Sequence, residues 1–229
     1  MIFGYVGNFG SGKTLNMVFD AMRQMIYYRR HVFSNIPISF THKGKYYEAD
    51  YVPTGKEFRK RIFEQRNSII CVDEAAIYFP NFLWNKLPEE VLMAFHEQRK
   101  MGCDFYYTSQ LAKHAVKRIR DLSYIVSFCY KLRVLSFLRG IGIHTPTIYV
   151  TKRFWPAYFE GNMDSAKKYE KYYAGIRLLY PSDSKRVFDA YKTNFIVDTT
   201  GALGYTPRRI LEQDTKAEKM AWDIATKND

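Results

Sequence analysis

Residues Gly7-Asn8-Phe9-Gly10-Ser11-Gly12-Lys13-Thr14 satisfy the pattern G-x-x-x-x-G-K-[ST]. The chemistry this pattern serves needs a buried strand before it and a helix after it. Both flanks are present. Ile2-Phe3-Gly4-Tyr5-Val6 is a short apolar run, and from Leu15 to Arg30 apolar residues at Leu15, Val18, Phe19, Met22 and Met25/Ile26 recur near helical spacing. Glycines at 7, 10 and 12 let the backbone curl and turn its N–H groups onto phosphate oxygens. The helix that follows directs its positive end at the same phosphates. Gly7 to Leu15 is thus the expected nucleotide cradle and ATP the expected ligand, with Lys13 reaching the β- and γ-phosphates and Thr14 ligating Mg²⁺.

A second stretch supplies the other half of such a site. Ser68-Ile69-Ile70-Cys71-Val72 reads as a buried strand ending in Asp73-Glu74. Asp73 is expected to hold Mg²⁺ and Glu74 to orient and polarise an attacking water, an order of carboxylates that suits hydrolysis. Thr108-Ser109-Gln110 ends another strand-like run, Cys103 to Thr108. Gln110 can donate and accept at once, so it is the candidate for sensing the γ-phosphate and the water. The plainer alternative is that Ser109 caps a helix. A motor ATPase often takes a cation from a neighbouring subunit, and Arg99, Arg118 and Arg120 are candidates for it.

Strands and helices alternate through about residue 120. After β-like residues 1–6 and the first helix come a strand at 31–36, a polar loop or hairpin at 41–57, and a short helix over Lys56–Arg66. The strand at 68–72 and an aromatic loop from Pro80 to Pro88 follow, then a helix to about Lys100 and a helix or turn over 111–120. Two antiparallel strands are expected at 123–132 and 145–154, polar helical stretches at 164–173 and 185–191, and a charged tail from Thr206. This order implies an α/β fold, a mainly parallel central sheet flanked by helices with antiparallel edge strands. The chain reads as one domain, with 1–155 as core and 156–229 as a C-terminal extension.

Composition narrows the partners. There are 35 Lys plus Arg against 23 Asp plus Glu, a net charge of +12, which favours a polyanion, nucleic acid or an anionic membrane surface. Residues 99–153 carry much of it: Arg99, Lys100, Lys113, Lys117, Arg118, Arg120, Lys131, Arg133, Arg139, Lys152 and Arg153 stand against only Asp104 and Asp121. The alternative is an ordinary solvated face. The 19 Tyr and 17 Phe are first of all core and rim material, with base stacking as the second use. Cys71, Cys103 and Cys129 form no CxxC pair and read as buried reduced thiols, not metal ligands. No signal peptide is evident, and no run approaches the roughly 20 apolar residues of a membrane helix. Host cytoplasm or a virion is the expected location, with any membrane reached through a partner.

The ordered set of Gly7–Thr14, Ser34-Asn35-Ile36, Val72 to Pro80, His96 to Asp104 and Thr108-Ser109-Gln110 resembles the FtsK–HerA superfamily of DNA-pumping ATPases. More closely, it is similar to the Zot-like proteins of filamentous phages and to the packaging ATPases of tailless, membrane-containing viruses. The similarity covers about residues 1–155. It implies a RecA-like fold, a ring, often a hexamer, and ATP-driven movement of DNA, with double-stranded DNA the expected substrate of a packaging motor. It also implies capsid or membrane assembly proteins as partners. Filamentous-phage relatives usually continue into a membrane helix, which this sequence lacks; that departure favours a packaging motor over an extrusion ATPase. A small-molecule kinase is a third class, disfavoured by the Asp73-Glu74 pair and by the lack of a recognisable lid.

Overall fold

The computed structural model describes residues 1–53, 56–62, 64–75, 97, 100–110, 119, 122–133, 146–155 and 173–191. Ten strands and three helices are defined among them: β1 (Ile2–Val6), α1 (Lys13–Tyr28), β2 (His31–Ser34), β3 (Ser39–His42), β4 (Lys45–Glu48), β5 (Asp50–Tyr51), α2 (Lys56–Ile62), β6 (Ser68–Val72), β7 (Asp104–Ser109), β8 (Ile125–Arg133), β9 (Thr147–Phe154), β10 (Tyr173–Leu179) and α3 (Pro181–Ala190). Eight strands form one sheet in the order β10-β9-β8-β1-β7-β6-β2-β5. From β8 to β5 every pairing is parallel, and β9 and β10 add antiparallel at one edge. The expected fold class is the one that forms.

Strand periodicity sorts the side chains into two cores. Phe33, Ile70, Val72, Phe105 and Tyr107 face Phe58 and Ile62 of α2. Val32, Ile69, Cys71 and Tyr106 face Leu15, Val18, Ala21 and Met25 of α1, and Leu179, Val187 and Ala190 join them from β10 and α3. Because both faces of the parallel strands are covered, β6 is apolar at nearly every position and buried throughout. All three cysteines are free and buried, as expected.

The polar segment after β2 resolves into the hairpin β3–β4. Its turn residues Lys43 and Gly44 both have positive φ, 50° and 75°, which matches the twist of the flanking strands. The helix expected over Lys56–Arg66 stops at Ile62. Strand β10 begins at Tyr173, where the sequence predicts only the end of a polar helical stretch. Gly175 and Arg177 interrupt its alternation, so its period is hard to see. β10 and α3 lie beyond residue 155 and belong to the same sheet and layer. The aromatic loop, most of the helices expected over 89–100 and 111–120, and the tail from Thr206 lie outside the described residues. No helix among the described residues is long and apolar enough to cross a membrane.

Candidate nucleotide site

The phosphate-loop residues leave the C-terminal end of β1, the central strand, and run into α1. Register assembles the rest. Tyr5 pairs with Thr108 and Val72 with Tyr107, so the ends of β1, β7 and β6 lie side by side. Gly7, Gln110, Asp73 and Glu74 therefore lie at the same end of the sheet, although positions 7 and 110 are 103 residues apart in sequence.

Backbone geometry explains two of the glycines. Gly12 is the N-cap of α1 with φ 88°, and a Cβ there would run into the Tyr149 ring. At Gly7 a Cβ would lie 2.5 Å from the Cys129 carbonyl oxygen and 2.7 Å from Ser11 Oγ. Between them, Ser11 N–H donates to the Asn8 carbonyl at 3.2 Å, closing the turn through Phe9 and Gly10. Phe9 stands 81% exposed at the tip. Lys13 is buried, its ammonium donating to the Asn8 carbonyl at 3.1 Å. Leu15 is in the core and anchors the first turn of α1. Ser11 Oγ is buried without a protein hydrogen-bond partner among the described residues. Such a hydroxyl needs an acceptor, and a phosphate oxygen supplies one.

Thr14 Oγ1 donates to Asp73 Oδ1 at 2.8 Å, joining the loop to the acidic strand end. Thr108 Oγ1 donates to the same oxygen at 2.7 Å and accepts the Glu74 N–H at 2.8 Å. Asn35, fully buried, holds Asp73 from the other side: its Oδ1 accepts the Asp73 N–H at 2.7 Å and its Nδ2 donates to the Asp73 carbonyl at 2.9 Å. These bonds hold Glu74 at φ 51°, a left-handed conformation that a glutamate adopts only when its surroundings enforce it. Gln110 stands close enough to the Glu74 carboxylate to favour its charged form, though less than burial opposes it.

Burial pushes the Asp73 carboxyl above the usual carboxylate range, against the pull of its Thr108 and Thr14 hydrogen bonds and of Lys13. Glu74 is raised by burial and by the neighbouring Asp73 charge. An upward shift makes Glu74 a better proton acceptor near neutral pH. Thr14 and Asp73 offer only hard oxygen donors, and few of them. That fits Mg²⁺, which keeps several of its waters and takes its other ligands from phosphate.

The family model described as Zonular occludens toxin (Zot) matches residues 1–185. The chain belongs to the Zot family. Among solved structures, the N-terminal domain of zonular occludens toxin from Neisseria meningitidis is similar at 19% identity and TM-score 0.55, covering 83% of this chain and 98% of that one. The genome packaging NTPase B204 from Sulfolobus turreted icosahedral virus 2, in complex with AMPPCP, is similar at 13% identity and TM-score 0.51, covering 79% of this chain and 97% of that one. Its complex with sulfate gives TM-score 0.50 at 13% identity. These likenesses establish the P-loop NTPase fold for this Zot-family chain. No match is found among curated proteins.

The structure thus brings together Gly7 to Leu15, Asp73, Glu74 and Gln110. Arg99, Arg118 and Arg120 lie outside the described residues. Of the basic stretch, Lys131 and Lys152 are exposed, whereas Arg153 turns to Asp20 at 3.4 Å. Its partner lies outside the basic stretch, because Asp20 comes from α1. Two polar residues beside this site, Asn16 and Thr151, have no signal in the sequence, while Asn35 and Thr108 stand in stretches that carry the resemblance but gain individual roles only in the structure. Thr108 was within reach of sequence reasoning, since a residue ending the strand beside β6 must lie next to Asp73.

Proposed function

We propose that this chain is an ATP hydrolase of virus assembly whose turnover moves DNA. The observation that carries the reading is the Thr14–Asp73 hydrogen bond at 2.8 Å, which joins the phosphate loop to a paired-carboxylate strand end. In this reading Lys13 and the loop N–H groups bind the β- and γ-phosphates, and Ser11 Oγ adds a donor. Thr14 and Asp73 would hold Mg²⁺, which when bound neutralises charge on the β- and γ-phosphate oxygens. Glu74 orients the attacking water and accepts its proton, while Gln110 holds the Glu74 carboxylate and senses the γ-phosphate. A cation from a neighbouring subunit of a ring, Arg99, Arg118 or Arg120, completes the charge balance in the transition state.

ATP is favoured because the B204 structure of similar fold binds AMPPCP. DNA is favoured by the net charge of +12 and by the description of B204 as a genome packaging NTPase. Double-stranded genome packaging is the first reading. The match to the Zot family supports a second, an ATPase driving filamentous phage assembly at a membrane complex. ATP turnover with and without double-stranded DNA separates them. A packaging motor is stimulated by DNA and closes a ring; an assembly ATPase turns over independently of DNA and binds a membrane partner. No turnover under either condition overturns both.

A further inference from the structure

Buried polar groups recur in step where α1 meets β9. Along the strand, Tyr149, Thr151 and Arg153 share one face. Along the helix, Gly12, Asn16 and Asp20 recur every fourth residue. Two strand residues advance about 6.7 Å and four helical residues about 6 Å, so the two series stay aligned over three pairs. Tyr149 packs on Gly12, Thr151 Oγ1 donates to Asn16 Oδ1 at 2.7 Å, and Arg153 reaches Asp20 Oδ2 at 3.4 Å. Tyr5 Oη and Arg177 also donate to Asp20 Oδ2, each at 2.7 Å, which pins the second turn of α1 to β1 and β10.

The middle pair bears on the phosphate loop. Asn16 and Thr151 are both fully buried. Asn16 Nδ2 donates to the Gly12 carbonyl at 2.8 Å, the oxygen that also accepts the Asn16 N–H at 3.0 Å. In a trans peptide the C=O and the following N–H point in opposite directions. Holding the Gly12 carbonyl toward the helix therefore holds the Lys13 N–H outward, toward the phosphate site. Two apolar side chains would fill this space without the desolvation cost of a buried amide and hydroxyl. What the polar pair adds is orientation.

We propose that Asn16 and Thr151 are positioning residues of the phosphate loop. Thr151 fixes the Asn16 amide, and that amide fixes the Gly12–Lys13 peptide. The antiparallel strand β9 thereby sets nucleotide affinity without touching the nucleotide. This inference rests on the reading of Gly7–Thr14 as a nucleotide site.

The test is Thr151→Val, which keeps shape and removes the donor, beside Thr151→Ser, which keeps the donor. Binding of a fluorescent ATP analogue, kcat, KM and melting temperature are measured for each. A buried acceptor left without its donor weakens what depends on it by roughly tenfold. Thr151→Val should therefore raise the dissociation constant and KM about tenfold. The loop N–H groups contact phosphate in ground and transition states alike, so kcat at saturation should stay nearly unchanged. Thr151→Ser should restore affinity to within about threefold. Should Thr151→Val fail to fold, Thr151→Ala replaces it. Wild-type affinity in the Val variant, or equal loss in Val and Ser, overturns the proposal, as does a lowered melting temperature with unchanged affinity. If the wild type itself binds no analogue, the nucleotide reading fails instead.

Discussion

Asn35→Ala removes the clamp on the Asp73 backbone while leaving every phosphate-loop residue in place. Asn35 makes two hydrogen bonds to that peptide, at 2.7 and 2.9 Å, and is itself fully buried. Each backbone group left without a partner costs about 1–3 kcal/mol when water cannot reach it. Asp73 is only partly buried, so water entering the truncated site recovers some of this. A combined loss of about 3 kcal/mol is expected, which for a protein of this size lowers the melting temperature by roughly 6–12 °C. Catalysis should suffer separately. Without the clamp, Glu74 relaxes from φ 51°, and a carboxylate displaced by about 1 Å costs on the order of 100-fold in rate. Nucleotide affinity measured without Mg²⁺ should hold, because Lys13 and the loop amides do not depend on Asn35. The assay is thermal unfolding beside ATP turnover and binding of a fluorescent analogue. A variant that melts within about 2 °C of wild type, or one that loses affinity and keeps kcat, refutes the reasoning.

Two further outcomes follow from the buried titratable groups. Glu74 is raised by burial and by Asp73, so its charged form is disfavoured in the folded protein. That penalty is present above the raised pKa and disappears below the unfolded value of about 4.3. Glu74→Gln in nucleotide-free, chelator-treated protein should thus melt higher than wild type at pH 8, and the gap should close as the pH falls toward that value; a gap that widens on acidification contradicts it. Burial also pushes the Cys129 thiol up to about 12, and Cys71 and Cys103 are buried with it. A thiol reagent at pH 8 should label none of the three in native protein and all three in denaturant, as read by mass spectrometry.

The parts of the site that use fixed spacing were legible in the sequence. Gly7 to Thr14 is contiguous, and Asp73-Glu74 follows an unmistakable buried strand, so local pattern sufficed. The Asn35 clamp and the Thr151 bond are not legible, although Asn35 stands in a stretch that carries the resemblance, because nothing local distinguishes a polar residue that clamps a distant backbone from one that faces water. Their roles come from register, Ser34 against Cys71 and Arg153 against Ser127, which no single strand reveals. β10 is illegible for a related reason. Arg177 reads as a surface cation, yet it lies largely buried and paired with Asp20, 157 residues away. The antiparallel pair before it was readable, since Gly140 and Gly142 separate two β-rich runs.

The central claim is that Glu74 activates water at a nucleotide held by the loop. Single-turnover hydrolysis of ATP by wild type and Glu74→Gln, with binding measured on the same preparations, tests it most directly. Wild type should hydrolyse the bound ATP, while Glu74→Gln should bind with similar affinity and retain the nucleotide uncleaved. Hydrolysis by Glu74→Gln at the wild-type rate contradicts the account.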